Sequence, residues 1–168
     1  IHNPGRIQSI AFNIGVENTS TGTILMRGNN SFGILLTQGR LDGSNTIYPG
    51  NLPSGVSNTY QQNGTITMER YNSYGVVIGE GTILPANTSL NAGTINIQNT
   101  GAANSSQTSS GIYLYKNLTL TNTGTINVTG NYSNGIRIDA GNITNKYTAG
   151  KQINISGTAA ESTGIAVV

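Results

Sequence analysis

Apolar residues along this chain recur in short alternating runs, each opened by glycine. A first arm reads Gly-Thr-Ile-x-apolar, a polar stretch follows, and a second arm reads Gly-apolar-x-apolar. The first arm occurs at Gly22-Thr23-Ile24-Leu25-Met26, Gly64-Thr65-Ile66-Thr67-Met68, Gly93-Thr94-Ile95-Asn96-Ile97 and Gly124-Thr125-Ile126-Asn127-Val128, with a weaker copy at Gln152-Ile153-Asn154-Ile155. The second arms are Gly33-Ile34-Leu35-Leu36, Gly75-Val76-Val77-Ile78, Gly111-Ile112-Tyr113-Leu114, Gly135-Ile136-Arg137-Ile138 and Gly164-Ile165-Ala166-Val167. A period of two is that of a strand with one buried face, and no 3.6-residue period competes with it. A third, weaker strand is expected at Leu118–Asn122, at Asn142–Asn145 and around Ile83-Leu84.

Three short strands per repeat, recurring at anchor-glycine separations of 42, 29 and 31 residues, predict a solenoid. The expected fold is all-β: a right-handed parallel β-helix of about five to six coils, forming a single domain over residues 1–168. Stacking would place Ile24, Ile66, Ile95, Ile126 and Ile153 in one inward column and Ile34, Val76, Ile112, Ile136 and Ile165 in another. Rungs ~4.8 Å apart would make five coils ~24 Å long, with unpaired edges able to stack on neighbouring coils of a longer chain. The glycines before the second strands, and Asn-Gly at 63–64 and 134–135, read as corners with positive φ or close backbone approach. Asn96, Asn127 and Asn154 share one repeat position, which fits either a stacked amide ladder or solvated side chains on the outward face.

Two insertions break the spacing, and insertions in solenoids often carry binding groups. Residues 38–62 bring Arg40, Asp42, Tyr48, Pro49, Pro53 and Tyr60, able to present aromatic and hydrogen-bonding groups or simply to connect. Residues 100–110 are small and polar and read as a flexible protrusion. On the second arms, alternation sends Leu35, Val77, Tyr113, Arg137 and Ala166 outward, with Thr37, Tyr115 and Asp139 beside them. Tyr113, Tyr115 and Arg137 therefore form a candidate surface for stacking on sugars or anchoring a protein. Arg137 and Asp139 are spaced to pair with each other.

Composition agrees with polar β-structure: 8% of residues are charged, 35% are hydrophobic, and glycine alone contributes 23. A net charge of +2 with scattered Lys and Arg argues against nucleic acid as a partner. There is no cysteine, which suits export through an oxidising compartment. The chain opens Ile1-His2-Asn3-Pro4 without a signal segment and so reads as an internal or processed piece. The apolar runs are far shorter than the ~20 residues of a membrane-spanning helix.

Catalytic chemistry is sparse. His2 is the one histidine, so no Ser-His-Asp arrangement or histidine metal cluster can be built. The six acids, Glu17, Asp42, Glu69, Glu80, Asp139 and Glu161, are dispersed, and two aspartates make no calcium cluster. No enzyme, cofactor or metal is expected. The Asn-x-Ser/Thr triplets, such as those at Asn63 and Asn131, follow from a composition rich in Asn, Ser and Thr.

Gly-Thr-Ile-Asn-Val followed by Gly-Asn-Tyr-Ser-Asn-Gly-Ile-Arg-Ile, residues 124–138, resembles the passengers of classical (type Va) autotransporters, most of all the large fusobacterial outer-membrane adhesins. The likeness covers most of residues 20–168. It implies a secreted, surface-exposed virulence segment, held at the outer membrane by a C-terminal barrel absent from this chain. Its partners would be host-cell glycans, a protein receptor or other bacteria. Alternatives of other classes are a β-helical carbohydrate-active enzyme, such as a polysaccharide lyase or glycoside hydrolase, and a toxin-type passenger.

Overall fold

The computed structural model describes residues 7–9, 15–36, 40, 41, 47, 48, 59–79, 84, 88–146, 150–156 and 159–168. Sixteen strands run through them: β1 (Ile7–Ser9), β2 (Gly15–Asn18), β3 (Thr23–Met26), β4 (Phe32–Leu36), β5 (Arg40–Leu41), β6 (Ile47–Tyr48), β7 (Thr59–Gln62), β8 (Thr65–Arg70), β9 (Tyr74–Ile78), β10 (Ser89–Asn91), β11 (Thr94–Thr100), β12 (Ser109–Asn122), β13 (Thr125–Val128), β14 (Ser133–Asn145), β15 (Ile153–Ile155) and β16 (Thr163–Val167). The helical element among these residues is one 3-10 turn, Ser105–Gln107. The fold is all-β.

Strands far apart in sequence pair side by side in parallel. The first arms form the sheet β15-β13-β11-β8-β3, and the second arms form β1-β4-β9-β12-β14-β16. Register is that of the repeat: Ile24, Ile66, Ile95, Ile126 and Ile153 are successive partners. So are Ile34, Val76, Ile112, Ile136 and Ile165, with Ile7 before them. Side chains from these columns merge into one apolar core with Met26, Met68, Ile97, Val128, Leu36, Ile78, Leu114 and Ile138. The arrangement is consistent with a β-helix. The columns lose cover at the last rung, where Ile165 is 44% and Val167 77% exposed.

A third strand precedes each first arm, and its inward side chains are polar as well as apolar. β2 pairs with β7, and β10 with the far end of β12, which in turn runs beside the end of β14. The expected strands at Leu118–Asn122 and Asn142–Asn145 are thus continuations of β12 and β14. Around Ile83-Leu84 the expectation is corrected. Ile83 lies outside the described residues, Leu84 is buried but in no strand, and the strand sits at Ser89–Asn91. Buried amides line this corner. The Asn18 amide donates to Gln62 (2.8 Å), Gln62 to the Gly64 carbonyl (3.0 Å), Asn91 to the Thr125 carbonyl (3.1 Å) and Asn122 to Asn145 (2.6 Å). These bonds satisfy backbone and side-chain groups that would be costly to bury alone.

At the corner between first and second arms, close backbone approach is the one of the two expected glycine roles that the structure shows. The glycines before the second arms are needed for close approach: a Cβ at Gly33, Gly75, Gly111 or Gly135 would stand 2.6 Å from the carbonyl oxygen of the next glycine in the stack. Positive φ falls three residues before the second-arm glycine, on Asn30, Asn72, Tyr132 and Glu161, with Asn99 in the pass that carries an insertion. A serine follows at Ser31, Ser73, Ser133 and Ser162, and Ser109 fills the place in the inserted pass. The Ser73 backbone N–H donates to Ser109 Oγ and that of Ser133 to Ser162 Oγ, each at 3.0 Å.

Both insertions acquire structure. In the first, β5 and β6 pair antiparallel, Arg40 opposite Tyr48, and the span expected to be loop ends in a strand, since Thr59–Gln62 is β7. In the second, Asn104 caps the 3-10 turn by accepting from the Ser106 N–H (3.0 Å), and Gln107 accepts from Ala103 N–H. Residues 101–108 thus form a hydrogen-bonded turn within the expected protrusion.

Candidate functional site

The outward side of the second-arm sheet carries a row of aromatic rings. β4 contributes Phe32, β9 Tyr74 and β12 both Tyr113 and Tyr115. Phe32 and Tyr74 are stacked with centroids 5.5 Å apart and planes 16° apart. Tyr74 and Tyr113 follow at 5.5 Å, then Tyr113 and Tyr115 at 5.2 Å. Tilted and offset contacts at these distances are favourable beyond the area they bury. The row ends on β14, where the Arg137 guanidinium lies 5.0 Å from the Tyr113 ring centroid, a cation–π contact.

Asp139 ties this end together. It accepts from Arg137 Nε at 2.8 Å and Nη2 at 3.1 Å, and from Tyr113 Oη at 2.7 Å. Burial pushes the Asp139 carboxyl up, but the hydrogen bonds from Arg137 and Tyr113 outweigh it and hold the group below its usual value. The Tyr113 phenol is raised by burial and by its bond to Asp139. Tyr74 is raised by burial, opposed by Arg137 and assisted by Asp139. Arg137 is raised chiefly by its bond to Asp139. The cluster is thus a neutral phenol edge beside a closed ion pair.

Two members of the expected outward stripe are not at the surface. Leu35 and Val77 point away from the core by alternation, yet both are fully buried, in a second apolar cluster with Phe32 and with Tyr74, Tyr113 and Tyr115 packed against it. Aromatic rings on neighbouring rungs are wide enough to cover aliphatic side chains beside them. The surface residues of the stripe are the half-buried Tyr74, Tyr113, Tyr115, Arg137 and Asp139. Tyr74 and Phe32 were missed in the sequence because each stands before the glycine that opens its second arm.

Among the candidates from the first insertion, the surroundings of Tyr60 are described. Tyr60 is 6% exposed inside β7, and its hydroxyl donates to the Leu90 carbonyl at 2.6 Å. It is a core residue and is corrected as such: alternation in β7 turns Tyr60 and Gln62 inward. Arg40 and Tyr48 are backbone partners in the β5–β6 pair, and Asp42, Pro49 and Pro53 lie outside the described residues.

A second surface lies on the outward side of the first-arm sheet. Asn154 donates to Asn127 (2.8 Å), Asn127 to Asn96 (2.9 Å) and Asn96 to Thr67 Oγ1 (3.3 Å). Of the two readings open for these asparagines, the structure forms the ladder. It lines a groove of about 380 Å³ with Gln98, Thr129, Ser156, Val128 and Ile155. At the other end of this face Arg27 and Glu69 make an exposed ion pair at 3.7 Å, a contact of small energetic weight. Among the described residues no group of three or more His, Cys, Asp or Glu could hold a metal ion, and no helix is long and apolar enough to cross a membrane.

Parallel sheets stacked in this manner, with inward aliphatic columns and polar corners, define a pectate lyase-like domain. The chain belongs to the family of the BigA third pectate lyase-like domain, whose model matches residues 10–150. BigA is a bacterial surface protein of adhesin-like type, and membership of this family fits a cell-surface location for the chain. Neither the curated proteins nor the solved structures give a match to this chain.

Proposed function

We propose that the chain is an adhesive passenger segment of an autotransporter: a right-handed parallel β-helix of five to six coils, displayed at the outer membrane through a C-terminal β-barrel, that attaches the cell to host surfaces or to other bacteria. Secretion by the type V route follows from the autotransporter resemblance. The observation that carries the contact role is the row Tyr74–Tyr113–Tyr115 ending on Arg137, four neighbouring side chains on one outward face, held rigid by stacking and by Asp139. Rigid Tyr and Arg side chains lose little entropy on binding and dominate contact surfaces. The segment works without catalysis. Asp139 is engaged by Arg137 and Tyr113, Glu69 pairs with Arg27, and the family's pectate lyase-like name describes its fold.

The test is attachment of beads bearing the purified chain to epithelial cells and to bacteria, with a glycan array beside it. Binding that falls at least tenfold in Tyr113→Ala and Arg137→Ala, each variant keeping the circular-dichroism spectrum of the folded parent, is the expected result. A folded chain that attaches to none of these surfaces would overturn the contact role, and turnover of a polysaccharide would overturn the non-enzymatic reading.

A further inference from the structure

The amide ladder and its groove lie on the other sheet from the aromatic row and do not depend on the adhesive reading. A side-chain amide has two N–H donors and two acceptor lone pairs. Asn127 donates one N–H to Asn96 and accepts one from Asn154. Asn96 donates to Thr67, and Asn154 accepts from Gln152. Among the described residues this leaves one N–H and one lone pair per amide, repeated on β11, β13 and β15, one strand spacing of ~4.8 Å apart. Gln98, Thr129 and Ser156 form a second polar column, two residues further along each strand.

Among the described residues no charged side chain lines the groove, and its volume of about 380 Å³ lies at the lower end of ordinary ligand sites. Ile155, in register with the buried Val128 and so the last inward residue of its column, is 45% exposed where the groove ends. The ladder fixes each amide before any ligand arrives, so little ordering cost remains.

We infer that this groove binds an uncharged oligosaccharide laid along the stacking direction, across β11, β13 and β15. A sugar hydroxyl both donates and accepts, so it can use the remaining N–H of one rung and the lone pair of the next. A linear glycan repeats that demand from rung to rung. A polyanionic glycan would bring charge with no cation in the lining to meet it.

The experiment is titration of the whole chain with cellohexaose and mannohexaose, using hexagalacturonate as the anionic comparison, read by calorimetry and by the side-chain amide signals in 15N-resolved NMR. The expected result is saturable binding of at least one neutral hexamer, with the Asn96, Asn127 and Asn154 amide signals moving together. Asn127→Ala should weaken binding at least tenfold. Asn154→Ala, at the end of the ladder where the rest of the stack is retained, should weaken it severalfold at an unchanged melting temperature, and Tyr113→Ala should leave it unchanged. The assignment is overturned if neither neutral hexamer binds, if hexagalacturonate binds as well as they do, or if Asn154→Ala binds like the parent. It is also overturned if the groove proves to be a contact between copies, seen as self-association in sedimentation that Asn127→Ala abolishes.

Discussion

Gly75 stands so close to Gly111 on the neighbouring strand that a Cβ would lie 2.6 Å from the Gly111 carbonyl oxygen and 3.2 Å from Ile95 Cγ2. The contact partner is backbone, which cannot swing aside as a flexible side chain can. Gly33, Gly111 and Gly135 repeat the same approach, so these glycines set how tightly successive rungs close at the second arm. Gly75→Ala should therefore cost ~1–3 kcal/mol, the range for forcing one methyl into a packed interior. Gly150, with nothing within 4 Å but φ of 77°, gives the contrast: its substitution by Ala meets backbone strain alone. Urea denaturation of both variants decides the matter, and a Gly75→Ala variant as stable as the parent would refute the close-approach role.

Asn122 is fully buried, and its amide reaches both Asn145 Oδ1 at 2.6 Å and the Gly124 carbonyl at 3.4 Å. Asn122→Ala leaves the Asn145 oxygen and that carbonyl without this donor. A loss of ~1–3 kcal/mol is expected, as for a buried polar group stripped of its partner. Asn122→Asp should be worse, because it buries a carboxylate in place of a neutral amide that donates to Asn145 and Gly124. Chemical denaturation of the two variants gives the order. Equal stability of Asn122→Ala and the parent would mean that the corner is hydrated in both.

The inward columns could be read from the sequence because Ile and Val at period two, each set behind a glycine, leave one register in which every rung buries its aliphatic side chains. Ile95 and Ile126 become partners for that reason alone. The third strand was harder to see because much of its inward face is amide. Gln62, Asn91 and Asn122 each stand two residues before the Gly-Thr-Ile glycine, a regularity that hydrophobic pattern does not register. Tyr60 was misplaced for the same reason: a strand ending in buried Gln62 looks like loop. The Ser-x-Gly sequences at Ser31, Ser73, Ser109, Ser133 and Ser162 marked the other corner with equal regularity. The outward aromatic row was half legible. Alternation placed Tyr113 and Arg137, whereas burial of Leu35 and Val77 depends on the width of neighbouring rings, which alternation does not contain.

Stability should fall in alkali before the peptide itself is damaged. Burial raises the Tyr60 phenol well above its usual value, and burial also raises Tyr74 and Tyr113. Above the unfolded value of ~10 the unfolded chain has lost these protons while the folded chain keeps them, so the folded state binds more protons and stability declines as pH rises. The decline should begin near pH 10 and continue towards the folded values. Denaturant midpoints between pH 8 and 11.5, with ultraviolet absorbance of phenolate, follow it directly. Tyr60→Phe removes one ionisation and the bond to the Leu90 carbonyl. It should lower stability at pH 8 and flatten the alkaline slope; an unchanged slope would exclude Tyr60 as a contributor.

The two ends of a column should not respond alike to the same truncation. Ile95 is wholly buried, with Ile66 on one side and Ile126 on the other, so Ile95→Ala opens a cavity that rigid neighbours on two rungs cannot fill, and a loss of ~2–5 kcal/mol is expected. Ile165 partners Ile136 alone among the described residues and is 44% exposed, so much of its methyl surface already meets water. Ile165→Ala should cost under ~1 kcal/mol, in proportion to the smaller apolar area it withdraws. The comparison also reports on the exposed rung itself. In a longer chain whose next coil covers β16, Ile165 would become an interior residue and its truncation would approach the cost of Ile95→Ala. Denaturation of both variants, in this chain and in one extended beyond Val168, separates the cases. A large loss for Ile165→Ala in the present chain would mean that something other than a further coil already covers that rung.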